Sequence, residues 1–169
     1  MFIRAALPHD FKAILAIDTT GPSDERRADK IKDWINGNAC YLVEHDGGVV
    51  AYGVLTYHFF DCGFIEMLMV SEEFRRKRLG LKLVNYFKTI CIRPKLFTST
   101  NQSNVAMQSL LAEADFKRSG YIDNLDENDP ELIFFWKTNQ SSSSEANRGD
   151  FNAQNLKPAP SAPSVKSRA

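Results

Sequence analysis

The apolar positions of this chain follow two periods, and the switches between them mark out its elements. Phe11, Ile14, Leu15 and Ile17 recur at three- and four-residue spacing, as do Ile31, Trp34 and Ile35. These predict amphipathic helices over residues 10–18 and 23–36, the first stopped by Gly21-Pro22 and the second capped by Ser23. A shorter period then takes over. Residues 39–45 and 49–59, rich in aromatic and β-branched side chains, predict two strands joined by Asp46-Gly47-Gly48 in a tight antiparallel hairpin. Residues 64–70 predict the next strand. Leu79, Leu83, Phe87 and Ile90 restore the helical spacing, with Lys82, Asn85 and Lys88 on another face. A short strand over 96–99 after Pro94, a helix over 105–114, and strands over 116–122 and 132–137 complete the series. No internal repeat is visible. Strands alternating with helices predict an α/β domain over residues 1–138, with a mixed sheet of about six or seven strands flanked by about four helices.

The segment between the strand ending at Val70 and the helix starting at Leu79 carries the chemistry. Arg75, Arg76, Lys77 and Arg78 crowd the start of a helix. The first backbone N–H groups there have no partner inside the helix, and the macrodipole adds positive potential. Four cations at that end oppose an isolated helix, so the arrangement suits a bound polyanion such as a phosphorylated ligand. Gly80 offers a backbone that a ligand can approach without meeting a Cβ. A solvated basic turn and a nucleic-acid patch fit the same residues. Arg75 to Lys95 holds eight Lys or Arg and no acid, which suits a nucleic-acid partner.

Whole-chain composition narrows the choice. The 21 basic and 21 acidic residues balance, without the surplus that favours binding along a phosphate backbone, so nucleic acid is disfavoured. At 169 residues with 43% hydrophobic content the chain can bury one ordinary core. Cys40, Cys62 and Cys91 are odd in number and lack CxxC spacing, so neither a disulfide framework nor a metal site is indicated. No apolar run approaches the roughly 18 residues of a spanning helix, and the N-terminus lacks the basic and apolar regions of a signal peptide; a cytoplasmic location and no membrane partner are expected. From Asn139 onward, Ser141 to Ser144, Pro158, Pro160 and Pro163 replace any periodic pattern, which predicts a disordered Ser/Pro-rich tail over 139–169.

Val70, Arg75, Arg78 and Gly80 together resemble the acetyl-CoA signature of the GCN5-related N-acetyltransferases: Arg or Gln, two variable residues, Gly, one variable residue, then Gly or Ala, after a strand that usually ends in Val. Arg78 departs from it, standing at the first glycine. The resemblance extends over residues 1–138, through the opening strand Phe2-Ile3-Arg4-Ala5, the helix start Pro8-His9-Asp10, and the run from Asn104 to Leu111 followed by Asp115-Phe116. Asp115 stands where Gly is usual. Leu111 stands where many members carry a Tyr that protonates the leaving thiolate.

The resemblance implies acetyl-CoA as co-substrate, no metal, and an amine-bearing acceptor, either a small molecule or a protein. It implies a cofactor site built from Leu68, Met69, Val70, Arg75, Arg76, Lys77, Arg78, Leu79, Gly80, Leu81 and Asn104, with a main-chain N–H near Met69 or Val70 polarising the thioester carbonyl. Asn104 is equally placed to cap the helix that follows. Direct transfer to an amine needs a base to take a proton. Glu66 is the candidate, because simple alternation puts it on the same face as Leu68 and Val70 in an otherwise apolar strand; a half-buried Glu paired with a cation fits that position as well. His58 and Tyr57 are weaker candidates. The acids Asp123, Asp126, Glu127, Asp129 and Glu131 lack EF-hand spacing and read as a solvated loop able to attract a cationic amine. The departures at Arg78 and Leu111 also admit a non-catalytic acyl-CoA-binding module. The acceptor and the choice between monomer and homodimer are left open.

Overall fold

In the computed structural model, residues 1–19 and 25–138 are described. Gly21, Pro22, the expected Ser23 cap and the expected tail from Asn139 lie outside them. Seven strands form one sheet: β1 (Phe2–Ala5), β2 (Cys40–His45), β3 (Gly48–Phe59), β4 (Cys62–Val70), β5 (Lys95–Asn101), β6 (Lys117–Ile122) and β7 (Glu131–Lys137). Their order is β1-β2-β3-β4-β5-β7-β6. Every neighbouring pair is antiparallel except β4 with β5. The parallel pair requires a crossover, and α3 (Leu79–Ile90) supplies it. The other helices are α1 (Phe11–Ile17), α2 (Glu25–Asn36) and α4 (Val105–Glu113). The expected α/β class and mixed sheet are therefore the observed ones.

Helices cover both faces, which explains why the central strand β3 reads as a nearly continuous apolar run. On one face, Leu79, Leu83, Val84 and Phe87 of α3 and Leu111 of α4 bury against Val43, Ala51, Leu55, Ile65, Leu96 and Phe134. On the other, Ile14 of α1 and Ile31, Trp34 and Ile35 of α2 bury against Cys40, Leu42, Tyr52 and Val54. Burial pushes the Cys40 thiol up to about 12, so it packs as a small apolar side chain. Among the described residues no helix is long and apolar enough to cross a membrane.

The second core encloses a polar network that the apolar periodicity of α2 conceals. Arg27 Nε donates to Asp18 Oδ2 at 2.8 Å, Arg27 Nη2 donates to the Tyr52 hydroxyl at 3.2 Å, and Tyr52 donates to Asp18. The guanidinium also lies 5.0 Å from the centre of the Trp34 ring. Burial opposes the charge on Arg27 most strongly, yet the bonds to Asp18 and Tyr52 outweigh it and raise the pKa. Burial and the bond to Asp18 together hold the Tyr52 phenol up, so it remains a donor.

A second ion pair ties the N-terminus to the sheet. Asp10 accepts from Arg4 Nη1 at 2.7 Å and Arg4 Nη2 at 2.8 Å, and from the Leu7 N–H at 2.8 Å. The Arg4 bond is the chief cause that holds the Asp10 carboxyl below its ordinary range. A lowered folded-state pKa contributes stability above the unfolded value and loses it as pH falls through the folded one. Asp10→Asn should therefore cost on the order of 2 kcal/mol near neutrality and nothing once both states are protonated. Urea titrations of the two proteins across the acid range would read the convergence.

Candidate functional site

The site begins where β4 and β5 part. They pair only at Gly63 with Leu96, Phe64 with Phe97 and Ile65 with Thr98, and Thr98 Oγ1 donates to the Ile65 carbonyl at 3.0 Å at the last of these steps. Beyond it β5 stays with β7 while β4 stays with β3. Main-chain direction alternates along β4, and the Ser71 N–H is committed to Val50 O on the β3 side at 3.0 Å. Leu68 and Val70 therefore turn their main-chain groups toward the opening, and Met69 turns its own toward β3.

Glu66 sits at the head of that opening on a β-bulge. Val54 pairs with Met67 and Leu55 with Ile65, so Glu66 is the extra residue. This corrects the simple alternation: Ile65, Leu68 and Val70 take the α3 face, while Met67 and Met69 take the opposite one. Glu66 instead lines a cleft of about 240 Å³ with Thr98, Thr100, Asn101, Asn104 and Glu131. That lining carries two carboxylates and no Lys or Arg. Asn104 caps α4, its side chain accepting from the Met107 N–H at 3.1 Å, and the residue also lines the same cleft. Acids of the β6–β7 connection bond to residues beside the cleft. Asp126 accepts from Asn101 at 2.7 Å, and Asp129 accepts from the Ser103 N–H at 2.9 Å and hydroxyl at 2.6 Å. These two serve as ties on the turn before α4 as well as solvated charge.

Leu68 and Met107 are shared with a larger cavity of about 470 Å³, also lined by Val70, Arg75, Arg76, Arg78, Leu79, Gly80, Leu81, Leu110 and Glu113. Most of the residues selected from the sequence are thus brought together. Two are not. Lys77 is absent from the lining, its ammonium lying 4.3 Å from the centre of the Phe74 ring, and the Met69 side chain packs toward α1, where Thr19 donates to its sulfur at 3.8 Å. Among the basic residues, Arg75 leans back toward Val70 O at 3.4 Å and Glu72 at 3.6 Å. Arg78 reaches across the cavity to Glu113 of α4. Glu113 carried no motif signal, because what makes it part of the site is its position on a neighbouring element, whereas Glu131 belongs to the acidic run read from the sequence as able to attract an amine.

The backbone of the turn explains the departures in sequence. Arg78 adopts φ 61° and ψ 19°, the left-handed region that favours glycine. Asp115, at the other substituted position, has φ 55°. Both side chains replace glycine while the glycine conformation stays. Arg78→Gly should accordingly stabilise the fold by about 1 kcal/mol, measured as a higher urea midpoint at unchanged slope. A Cβ at Gly80 would lie 2.7 Å from Leu110 Cδ1 and 3.5 Å from Leu68 Cδ2, so the glycine also leaves room for the Leu110 side chain beside it in the cavity lining.

The cavity can hold an anion at the α3 start and an elongated chain along the open edge of β4. A phosphorylated ligand with an extended polar arm fits those donors. Leu111 is fully buried in the core and offers no proton.

Comparison with known proteins agrees with this geometry. The model of the acetyltransferase (GNAT) family matches residues 9–116. A GNAT-family acetyltransferase from Bacillus cereus is 34% identical, with 80% of this chain and 96% of that one covered and a TM-score of 0.76. Ard1 from Thermoplasma volcanium, at 18% identity over 80% and 96% of the two chains, has a TM-score of 0.71. The Salmonella typhimurium protein yncA, solved with its cofactor acetyl-CoA, is 17% identical over 87% and 99% with a TM-score of 0.69; at such identities the likeness concerns the fold. A search among curated proteins finds no match.

Proposed function

The chain belongs to the GNAT family of acetyltransferases, and from that premise we propose that it moves the acetyl group of acetyl-CoA to a primary amine by direct attack. The observation that carries the reading is the adjacency of the two cavities, whose linings share Leu68 and Met107. The larger would take the phosphates and the arm, and the smaller would take the acetyl group and the amine. The acetyl-CoA bound by yncA supports the choice of donor.

In this reading the α3 start, Arg75, Arg76 and Arg78 bind phosphate, and the main chain of Leu68 and Val70 orients the arm. Of the two N–H groups named from the sequence, that of Val70 is the one turned toward the opening, and it meets the negative charge that develops on the thioester oxygen. An acceptor arrives as an ammonium, attracted to a cleft that holds Glu66 and Glu131 and no cation. Glu66 takes the ammonium's proton through a water and releases it to solvent, the amine nitrogen bonds to the carbonyl carbon, and as the carbon–sulfur bond breaks the nitrogen gives its second proton to Glu66 by the same route. With Leu111 at the usual Tyr position, the sulfur departs as thiolate to solvent. A thiol with an ordinary pKa of about 8.5 tolerates that departure.

Isothermal titration with acetyl-CoA, followed by free-thiol release across a panel of small amines and lysine peptides, tests the proposal. Binding with turnover on at least one amine is the expected result. No binding and no thiol release would end it. The buried Leu111 favours one rival, a non-catalytic acyl-CoA-binding module, and tight binding with no turnover on any amine would favour it.

A further inference from the structure

We propose that the acceptor is a primary amine joined to an aromatic body, its nitrogen held by Glu66 and Glu131 and its body laid on Phe64, Phe97 and Phe135. The inference rests on the acetyl-transfer reading and adds to it the class of amine.

The helices leave part of one sheet face open. Leu96, Leu132 and Phe134 turn toward α3 and α4, so alternation turns Phe97, Ile133 and Phe135 to the opposite side. There α1 and α2 close over β2, β3 and the Met67–Met69 end of β4. Among the described residues, neither core takes in Phe64, Phe97, Ile133 or Phe135. Phe64 pairs with Phe97, and Phe97 with Phe135. Phe59 joins them into one strip: it stacks on Phe64 at 4.8 Å between ring centres and meets Phe97 at 5.3 Å, while Phe97 meets Phe135 at 5.9 Å. Phe60 continues the strip at 86% exposure. A contiguous apolar patch of this kind marks a binding surface.

Continuity and charge on that face choose the occupant. Along β5, Phe97 is followed in two-residue steps by Ser99 and Asn101; along β7, Phe135 is preceded by Ile133 and Glu131. Ser99, Asn101 and Glu131 line the cleft that holds Glu66, so the strip and the cleft are two parts of one surface. Phe64 lies two residues before Glu66, a step of about 7 Å. The opposite end of the strip carries Lys95 paired across the strands with Lys137, both exposed. A cation is drawn to the carboxylates and repelled from the lysines, which favours a monoamine with an apolar body over a polyamine stretched along the strip.

The test measures free-thiol release with butylamine, benzylamine, 4-phenylbutylamine and spermidine, beside titration of the same amines into protein saturated with coenzyme A. 4-Phenylbutylamine separates ring and nitrogen by about one strand step, and benzylamine holds them closer. Its kcat/KM should exceed that of the other three at least about tenfold, through KM rather than kcat, with the same order in binding. In Phe97→Ala, and independently in Phe135→Ala, that preference should fall to within about threefold, while acetyl-CoA affinity within about twofold of wild type reports an intact fold. Equal kcat/KM across the amines, a preference for spermidine, or a preference kept in both variants would overturn the inference and leave acetyl transfer standing. Ring-selective binding lost in the variants, with no thiol release from any amine, would support the aromatic strip and overturn acetyl transfer. No binding and no release with any amine would overturn both. A wild-type dimer that Phe97→Ala converts to monomer in sedimentation velocity would assign the strip to a second copy of the chain and overturn its role in acceptor binding.

Discussion

Glu66→Gln should lower turnover by about a hundredfold or more while leaving acetyl-CoA affinity within about twofold. The substitution keeps the shape of the side chain and removes its capacity to take a proton. Because Glu66 sits in the smaller cleft with Thr98, Asn101 and Glu131, and the residues proposed for phosphate lie in the larger cavity, the two readouts separate. If Glu66 takes the proton, raising the pH should recover part of the loss, since more of the acceptor then arrives already neutral. Steady-state thiol release between pH 7 and 9, with binding measured in parallel, checks this. Activity unchanged at every pH would show that the proton leaves by another route. A parallel fall in binding and turnover would mean that Glu66 shapes the cleft instead.

Arg27→Met should cost about 3–5 kcal/mol of stability, a large share of what holds a domain of this size together. The new side chain preserves apolar contact with Trp34 but strips the Asp18 carboxylate, buried to 1% exposure, of the cation bonded to it at 2.8 Å. Combining it with Asp18→Asn should return part of the loss, because the charge left behind is the main penalty. Urea midpoints for the two single variants and the double would measure the coupling. The effect reaches the site. Arg27 Nη2 donates to Met67 Sδ at 3.2 Å, next to the Glu66 bulge, so the network braces β4 from the opposite face at the point where that strand leaves β5.

Much of the fold was legible because period and punctuation agree: helical spacing in α1 to α3, aromatic and β-branched runs in β2 and β3, and the glycines after Asp46 turning the hairpin. The basic turn was legible for the same reason, since four cations before a helix leave few physical readings. What escaped depends on geometry that no local pattern encodes. The bulge at Glu66 arises from one register step between β3 and β4, and a strand carrying it reads like one without it. Arg27 lies among polar residues along α2 and gives no hint that it is buried; only the closing of α1 and α2 over β3 brings it to Asp18 and Tyr52. Lys88, placed on the polar face of α3, is drawn in by its neighbours. It donates to the Ala114 carbonyl and lies 5.3 Å from the centre of the Trp136 ring, and burial lowers its pKa. The packing at Gly80 escaped as well, because the space beside it is taken by Leu110 on a helix far along the chain.

The three paired residues between β4 and β5 have a consequence for the mechanics of the domain. They are the entire hydrogen-bonded seam between a four-stranded half, β1 to β4, and a three-stranded half, β5 to β7. Everywhere else the joint is held by side-chain packing from α3 and α4, which tolerates small sliding better than a ladder of directional bonds. A ligand lying along the exposed edge of β4 would extend this seam with bonds of its own. The cleft that recognises such a ligand is therefore also the line along which the sheet yields most readily, and occupancy there would set how firmly the two halves move as one body.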